Sequence, residues 1–222
     1  MKTVVSLFVF LLFASAASAQ ETEPFHRAEE DREIIYWLLP PETHQFGFSH
    51  DFNIDHPGQK YAHSFVRKGS TVSEDITFID LDTGKRLKTE KVTGKDVNKL
   101  GYYPEQTDPD DVVVQGELLN PVPEGGSVRI RVKETYTDAD RYYLDKNGEF
   151  VWDRTFGRPR NVMVLPAGWM LVSSSFPVMV SEDKDGRIML VLNNPRNDEL
   201  HVIVRGKLRP GNANATQTKP GQ

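Results

Sequence analysis

From Phe46 to Ile54 the chain alternates without a break. Phe46, Phe48, His50, Phe52 and Ile54 interleave with Gly47, Ser49, Asp51 and Asn53. Side chains in a strand repeat every two residues, so the first set shares one sheet face. On a helix the same residues would spread around all sides and leave no polar face. The pattern recurs in Tyr61, His63 and Phe65, and again where Val128, Ile130 and Val132 alternate with Arg129, Arg131 and Lys133. Only the last is a clean half-buried strand, apolar inward and basic outward.

Turn chemistry divides the rest. Pro57-Gly58, Asp82-Thr83-Gly84-Lys85, Asp145-Lys146-Asn147-Gly148 and Asp183-Lys184-Asp185-Gly186 are turn signals between apolar runs. Strands are expected over 34–39, 76–81, 112–118, 127–135, 150–156, 162–165, 171–180, 188–192 and 200–204. Residues 87–92 are expected to return as the second arm of a hairpin, and 95–100 to form one helical turn. Short strands punctuated this often predict an all-β fold, an antiparallel two-layer sandwich or saddle-like sheets. The β-region is expected to run over 34–208, as one unit or as two abutting ones meeting near 108–111.

The N-terminus reads as an address. Lys2 is followed by the apolar run Val4–Phe13 and by Ala17-Ser18-Ala19. A positive start, a short apolar stretch and a small-x-small site form a secretory signal, expected over 1–19. A polar linker is expected over 20–33 and a disordered Gly/Asn/Thr/Pro-rich tail over 209–222. No later run is long enough for a spanning helix. The expected location is periplasmic or secreted. The 222 residues contain no cysteine, which removes disulfides, thiolate metal sites and cysteine catalysis. A net charge of −5 with mixed signs gives no field for nucleic acid.

Three groups of residues are candidates for chemistry. His44, His50 and His63 fall within one short stretch, and three imidazoles from paired strands suit zinc or copper. The segment from Ser181 to Gly186 resembles the start of a calcium loop, but Leu192 stands where the bidentate Glu belongs. Tyr36, Trp37, Tyr142 and Trp152 are candidate stacking platforms for a sugar. Arg154, Arg158 and Arg160, with the face Arg129-Arg131-Lys133, form a basic set among acidic neighbours. The motifs of zincins, nucleophile elbows and phosphate loops do not occur, so no catalytic residue and no resident cofactor is assigned.

From Val112 onward the chain resembles a known region. Pro121-Val122-Pro123-Glu124-Gly125-Gly126-Ser127-Val128-Arg129-Ile130 is similar to a segment of the N-terminal β-saddle of gluzincin-type zinc aminopeptidases. Val164-Leu165-Pro166-Ala167-Gly168-Trp169 and Asp185-Gly186-Arg187 are similar to its later strands. The chain also resembles uncharacterised exported bacterial β-sandwich proteins. The resemblance implies a β accessory module without the catalytic domain, so no catalytic residue carries over. The expectation is an exported, non-catalytic binding or interaction protein of the bacterial envelope, with a protein or glycan partner. The alternatives are a metal-dependent hydrolase or metal-binding protein using the histidines, and a carbohydrate-binding module.

Overall fold

The computed structural model describes residues 31–196 and 198–210. The expected signal sequence and most of the expected linker and tail lie outside the described residues. Strand β1 (Asp31–Leu38) begins three residues inside the expected linker. It is followed by a 3-10 turn (Pro41–Thr43), β2 (Gln45–Ile54), β3 (Tyr61–Phe65), β4 (Thr71–Val72), β5 (Thr77–Asp80) and β6 (Lys88–Thr93). The α-helical turn α1 (Gly94–Asn98) falls where 95–100 predicted one, and Thr93 and Asp96 close a capping box at its start. Then come β7 (Val112–Glu117), β8 (Val128–Thr137), β9 (Tyr142–Leu144), β10 (Phe150–Phe156) and β11 (Arg160–Val164). The described residues end with β12 (Trp169–Ser174), β13 (Met179–Glu182), β14 (Ile188–Asn193) and β15 (Leu200–Leu208).

These strands make an all-β sandwich. The large sheet runs β13-β14-β11-β1-β2-β8, with β4 and β5 both on the far edge of β8. Two smaller sheets, β12-β15-β10-β9 and β3-β7-β6, cover its inner face. Rings from both sides meet in the first contact: Tyr36 of β1 lies 5.1 Å from Trp152 of β10, and Phe46 of β2 lies 6.0 Å from it. In the second, Phe78 of β5 packs under Gly116 of β7, and the Ser64 hydroxyl of β3 donates to Glu134 of β8.

The period-two reading of β2 and β8 holds. Phe46 pairs with Tyr136, Phe48 with Glu134, His50 with Val132 and Phe52 with Ile130, and Ile130 and Val132 are buried while Arg129 and Lys133 are exposed. Two expectations are corrected, and the otherwise antiparallel sheets of the described residues carry one parallel pairing. There β1 pairs with β11, Ile34 opposite Asn161 and Trp37 opposite Val164. Such a pair joins strands far apart in sequence and leaves no local turn to announce it. Strands β5 and β6 do not form a hairpin. Asp80 caps the turn, taking the Asp82 and Thr83 N–H groups, and Ile79 bridges Arg86. Beyond Leu87, however, the chain crosses to pair with β7, while β5 stays on β8. The run 171–180 is two strands in different sheets. The Ser174 hydroxyl donates to the Phe176 carbonyl, and Pro177 has no N–H for a ladder. Segment 108–111 is part of the connection from α1 to β7, and β6 before it and β7 after it are neighbours in one sheet.

One close approach fixes the four-stranded sheet. Gly206 of β15 sits opposite Phe150 of β10, and a Cβ there would lie 2.2 Å from Phe150 Cε1 and 2.9 Å from the Met170 carbonyl oxygen. The fully buried Phe150 has nowhere to swing. Gly206→Ala is expected to lower stability by about 2 kcal/mol through overpacking. A urea midpoint equal to wild type would overturn that account.

Candidate functional site

The three histidines do not share a site. His44 lies outside β2, in the left-handed region at φ 57°, so the strand's period does not extend to it. Its Nδ1 is 2.8 Å from the Tyr142 carbonyl oxygen. His50 lies on the inner face between Ile34 and Val132, its ring 5.0 Å from that of Phe52. His63 points to the opposite face of the three-stranded sheet from Ser64. There its Nδ1 meets the Tyr103 hydroxyl and its Nε2 the Gln115 Oε1, each at 3.0 Å. Burial pushes the His63 pKa down. Among the described residues no three His, Asp or Glu side chains are grouped to hold a metal ion. The calcium-like turn uses its carboxylate on its own backbone: Asp183 accepts the N–H groups of Asp185 and Arg187, as Asp145 accepts those of Asn147 and Glu149 in its own turn.

The stacking platform is also corrected. Tyr36, Tyr142 and Trp152 are buried, and Trp37, on the opposite face of β1, is half-buried. The Tyr142 hydroxyl donates to the Leu39 carbonyl at 2.5 Å. Adjacent aromatics do face opposite ways, but the inward ones went to the core because the second layer covers that face. Both arginines of the basic strand face are paired with carboxylates. Arg131 holds Asp51 through two bonds of 2.6 and 2.5 Å, and Arg129 holds Asp82.

The structure assembles a different site, on the inner face of the large sheet where β3 and β10 end. A cavity of about 180 Å³ opens there, walled by Tyr36, Phe46, Phe48, Tyr136 and Phe156. Phe65 and Arg67 flank it from the end of β3, and Arg154 and Arg158 from the end of β10. Asn161 and the exposed Glu199 also belong to the lining. Arg154 shares a strand face with Trp152 and Phe156, and its guanidinium sits 5.0 Å above the Phe46 ring, a cation–π contact.

Arg154 is anchored from behind. Its Nη1 lies 3.2 Å from Asp138 Oδ2, which also takes Arg141 Nη1 at 3.1 Å and the Ser70 hydroxyl at 2.9 Å. Its Nε is buried and meets no acceptor among the described residues. Burial pushes the Arg154 pKa below its ordinary value, and Arg67 and Arg141 push it the same way against Asp138 and Tyr36. The positive field is felt at Tyr36, whose hydroxyl burial pushes up and whose rise Arg154, Arg158 and Arg67 oppose. Three guanidinium groups converging beside aromatic rings are fitted to receive an anion.

Sequence reasoning placed Arg154 and Arg158 in a basic surface set and missed Arg67. One signal was present. Phe150, Trp152, Arg154 and Phe156 share the buried parity of their strand, and a lone arginine in that row marks a buried charge. Glu134 carries the same signal among Ile130, Val132 and Tyr136. Arg67 follows a strand end, where no periodicity points to it.

No protein-family model and no curated protein matches the chain. Among solved structures it is similar to an M1 zinc metallopeptidase from Deinococcus radiodurans, at 13% identity and a TM-score of 0.43, covering 78% of this chain and 40% of that one. It is similar also to an aminopeptidase N family protein from Idiomarina loihiensis, at 10% identity and a TM-score of 0.42, covering 78% and 29%. The chain thus spans less than half the length of either. The weak resemblance to the N-terminal domain of M1 zinc aminopeptidases is present, and no residue role passes with it.

Proposed function

We propose that this is an exported, non-catalytic binding protein of the bacterial envelope that holds an anionic ligand in the arginine–aromatic cavity. The observation that carries the reading is the convergence of Arg67, Arg154 and Arg158 on one recess walled by rings. Guanidinium groups shielded from bulk water bind oxyanions through directed, charge-assisted bonds. Export is supported by Lys2, the apolar run Val4–Phe13 and Ala17-Ser18-Ala19. The site offers no paired carboxylates and no nucleophile next to a base, which favours binding over chemistry.

The test is a thermal-shift titration of the protein with acetate, benzoate, phosphate and sulfate, at matched ionic strength with choline as the cationic control. A ligand at a hundredfold excess over its Kd adds about 2.7 kcal/mol, a rise of several degrees. At least one anion is expected to give it, and Arg67→Gln is expected to reduce it. If no anion shifts the midpoint, or the shift survives Arg67→Gln intact, the cavity is not an anion site.

A further inference from the structure

We infer that two copies of this chain join edge to edge through β13, antiparallel, with Val180 of each copy on the two-fold axis. The inference is independent of the anion site.

Strand β13 ends the large sheet, and among the described residues it pairs only with β14. Its Met179 and Val180 are 59% and 54% exposed, the most exposed large apolar side chains among the described residues. Other edges are guarded. Strand β6 carries Lys88, Glu90 and Lys91 along its length, and β12 is bulged between Leu171 and Ser173. Charges and bulges of this kind keep an edge from pairing with a neighbour. The ladder of β13 runs without a shift. Its one charged residue, Glu182 at the end of the strand, lies 3.4 Å from Arg209 of the same chain.

The main chain sets the register. In an antiparallel pair, alternate residues turn both N–H and C=O toward the neighbour. The Asp183 N–H donates to the Arg187 carbonyl, while the Ile188 carbonyl faces away and accepts the Leu165 N–H. Glu182 stands opposite Ile188. This phase gives the main-chain groups of Met179 and Ser181 to β14 and turns those of Val180 and Glu182 outward. A second β13 placed antiparallel, Val180 opposite Val180, meets them. Val180 then exchanges two bonds with its own copy, and Val178 exchanges bonds with Glu182 on either side. Pro177, which has no N–H, falls opposite Asp183, at a position that makes no bond across the axis.

The side chains suit the same register. Met179 falls opposite Ser181 of the second copy on the outer face, beside Val191 and Met189 of its own sheet. The two Val180 side chains meet on the axis, next to clefts lined by Met170, Leu171 and Ile188. No like charges stand opposite each other. The two Glu182 positions are offset by four residues, about 13 Å along the strand, which exceeds the screening length at physiological salt. A two-fold pairing uses the β13 edge of both copies, so it closes at two.

Sedimentation equilibrium of the protein over about 1 to 300 µM tests the pairing. So short an edge buries less than a standard interface, and a Kd of about 10–100 µM is expected. The average mass should rise from one chain toward two across that range. Val180→Lys changes an exposed side chain, leaves the core intact and sets two ammonium groups on the axis. It is expected to weaken association about tenfold or more. The symmetric register has its own test. The chain has no cysteine, so Val180→Cys supplies one thiol per copy. The Cα atoms of a hydrogen-bonded antiparallel pair lie about 5.5 Å apart, within disulfide reach. Oxidised glutathione takes up the two protons and two electrons of the paired thiols, and a linked dimer is expected. Met179→Cys meets Ser181 rather than itself and is expected to link about tenfold more slowly. A mass of one chain at every concentration, a Val180→Lys variant that associates like wild type, or equal linking of the two cysteine variants would each overturn the inference.

Discussion

Asp138→Ala is expected to lower stability by about 4 kcal/mol, among the largest single losses in this protein. Asp138 follows β8 and is 1% exposed. Its Oδ2 binds two guanidinium groups and one hydroxyl. Removing the carboxylate leaves Arg154, whose side chain is 11% exposed, as a buried charge beside Arg67 and Arg141, facing the Phe46 ring and the Tyr36 hydroxyl. Breaking a buried pair from one side is costly for that reason, while removing both partners is often nearly neutral. The double variant Asp138→Ala with Arg154→Met is therefore expected to regain most of the loss. Urea unfolding of the two single variants and the double one gives the coupling. Additive losses would show that the ion pair is not what holds this corner. The backbone is expected to stay in place, since the Asp138 N–H donates to the His44 carbonyl and its own carbonyl takes the Tyr142 N–H.

The second large effect depends on pH. Glu134 is 3% exposed between the large sheet and the three-stranded one. Burial pushes its pKa from 4.5 up to about 7, against the Ser64 and Tyr136 hydroxyls, which favour the charged form. Its Oε1 meets no donor among the described residues. The sign follows from proton counting. Below pH 4.5 the carboxyl is protonated in both the folded and unfolded chain, and its contribution to stability is whole. Between pH 4.5 and about 7 the unfolded chain gives up a proton that the folded one keeps, so stability falls as pH rises. Above about 7 the loss is complete, at about 3 kcal/mol. Glu134→Gln keeps the shape and cannot ionise. It is expected to match wild type near pH 4 and to exceed it by about 3 kcal/mol at pH 8, as read from urea midpoints. Parallel curves for the two proteins would mean that Glu134 folds in its charged form.

The cavity and the Glu134 pair adjoin, because Tyr136 lines the one and interacts with the other. Both lie on the large sheet's inner face, and each places a charged side chain at a position whose neighbours along the strand are apolar. Such positions cost stability unless a partner layer completes them. Asp138 and Ser64 are those partners, and both come from outside the strand they serve.

Local chemistry fixed a good part of this architecture. The alternation in β2 and β8 decided which residues face inward, because every second side chain must. The turns at Asp145–Gly148 and Asp183–Gly186 closed two hairpins as their residues required, with each Asp carboxylate capping its own turn. The all-β class and the helical turn at Gly94–Asn98 were legible for the same reason. What the chain could not state locally is which strands become neighbours. The parallel pairing of β1 with β11 and the crossing of β6 to β7 depend on competition among distant segments for one apolar face. That competition sent Tyr36, Tyr142 and Trp152 into the core and separated His44, His50 and His63. It also brought Arg67 to Arg154 and Arg158 from far along the chain. A strand's period tells a side chain which face to take, and only the layer packed on that face decides whether it meets solvent, a ring or another charge.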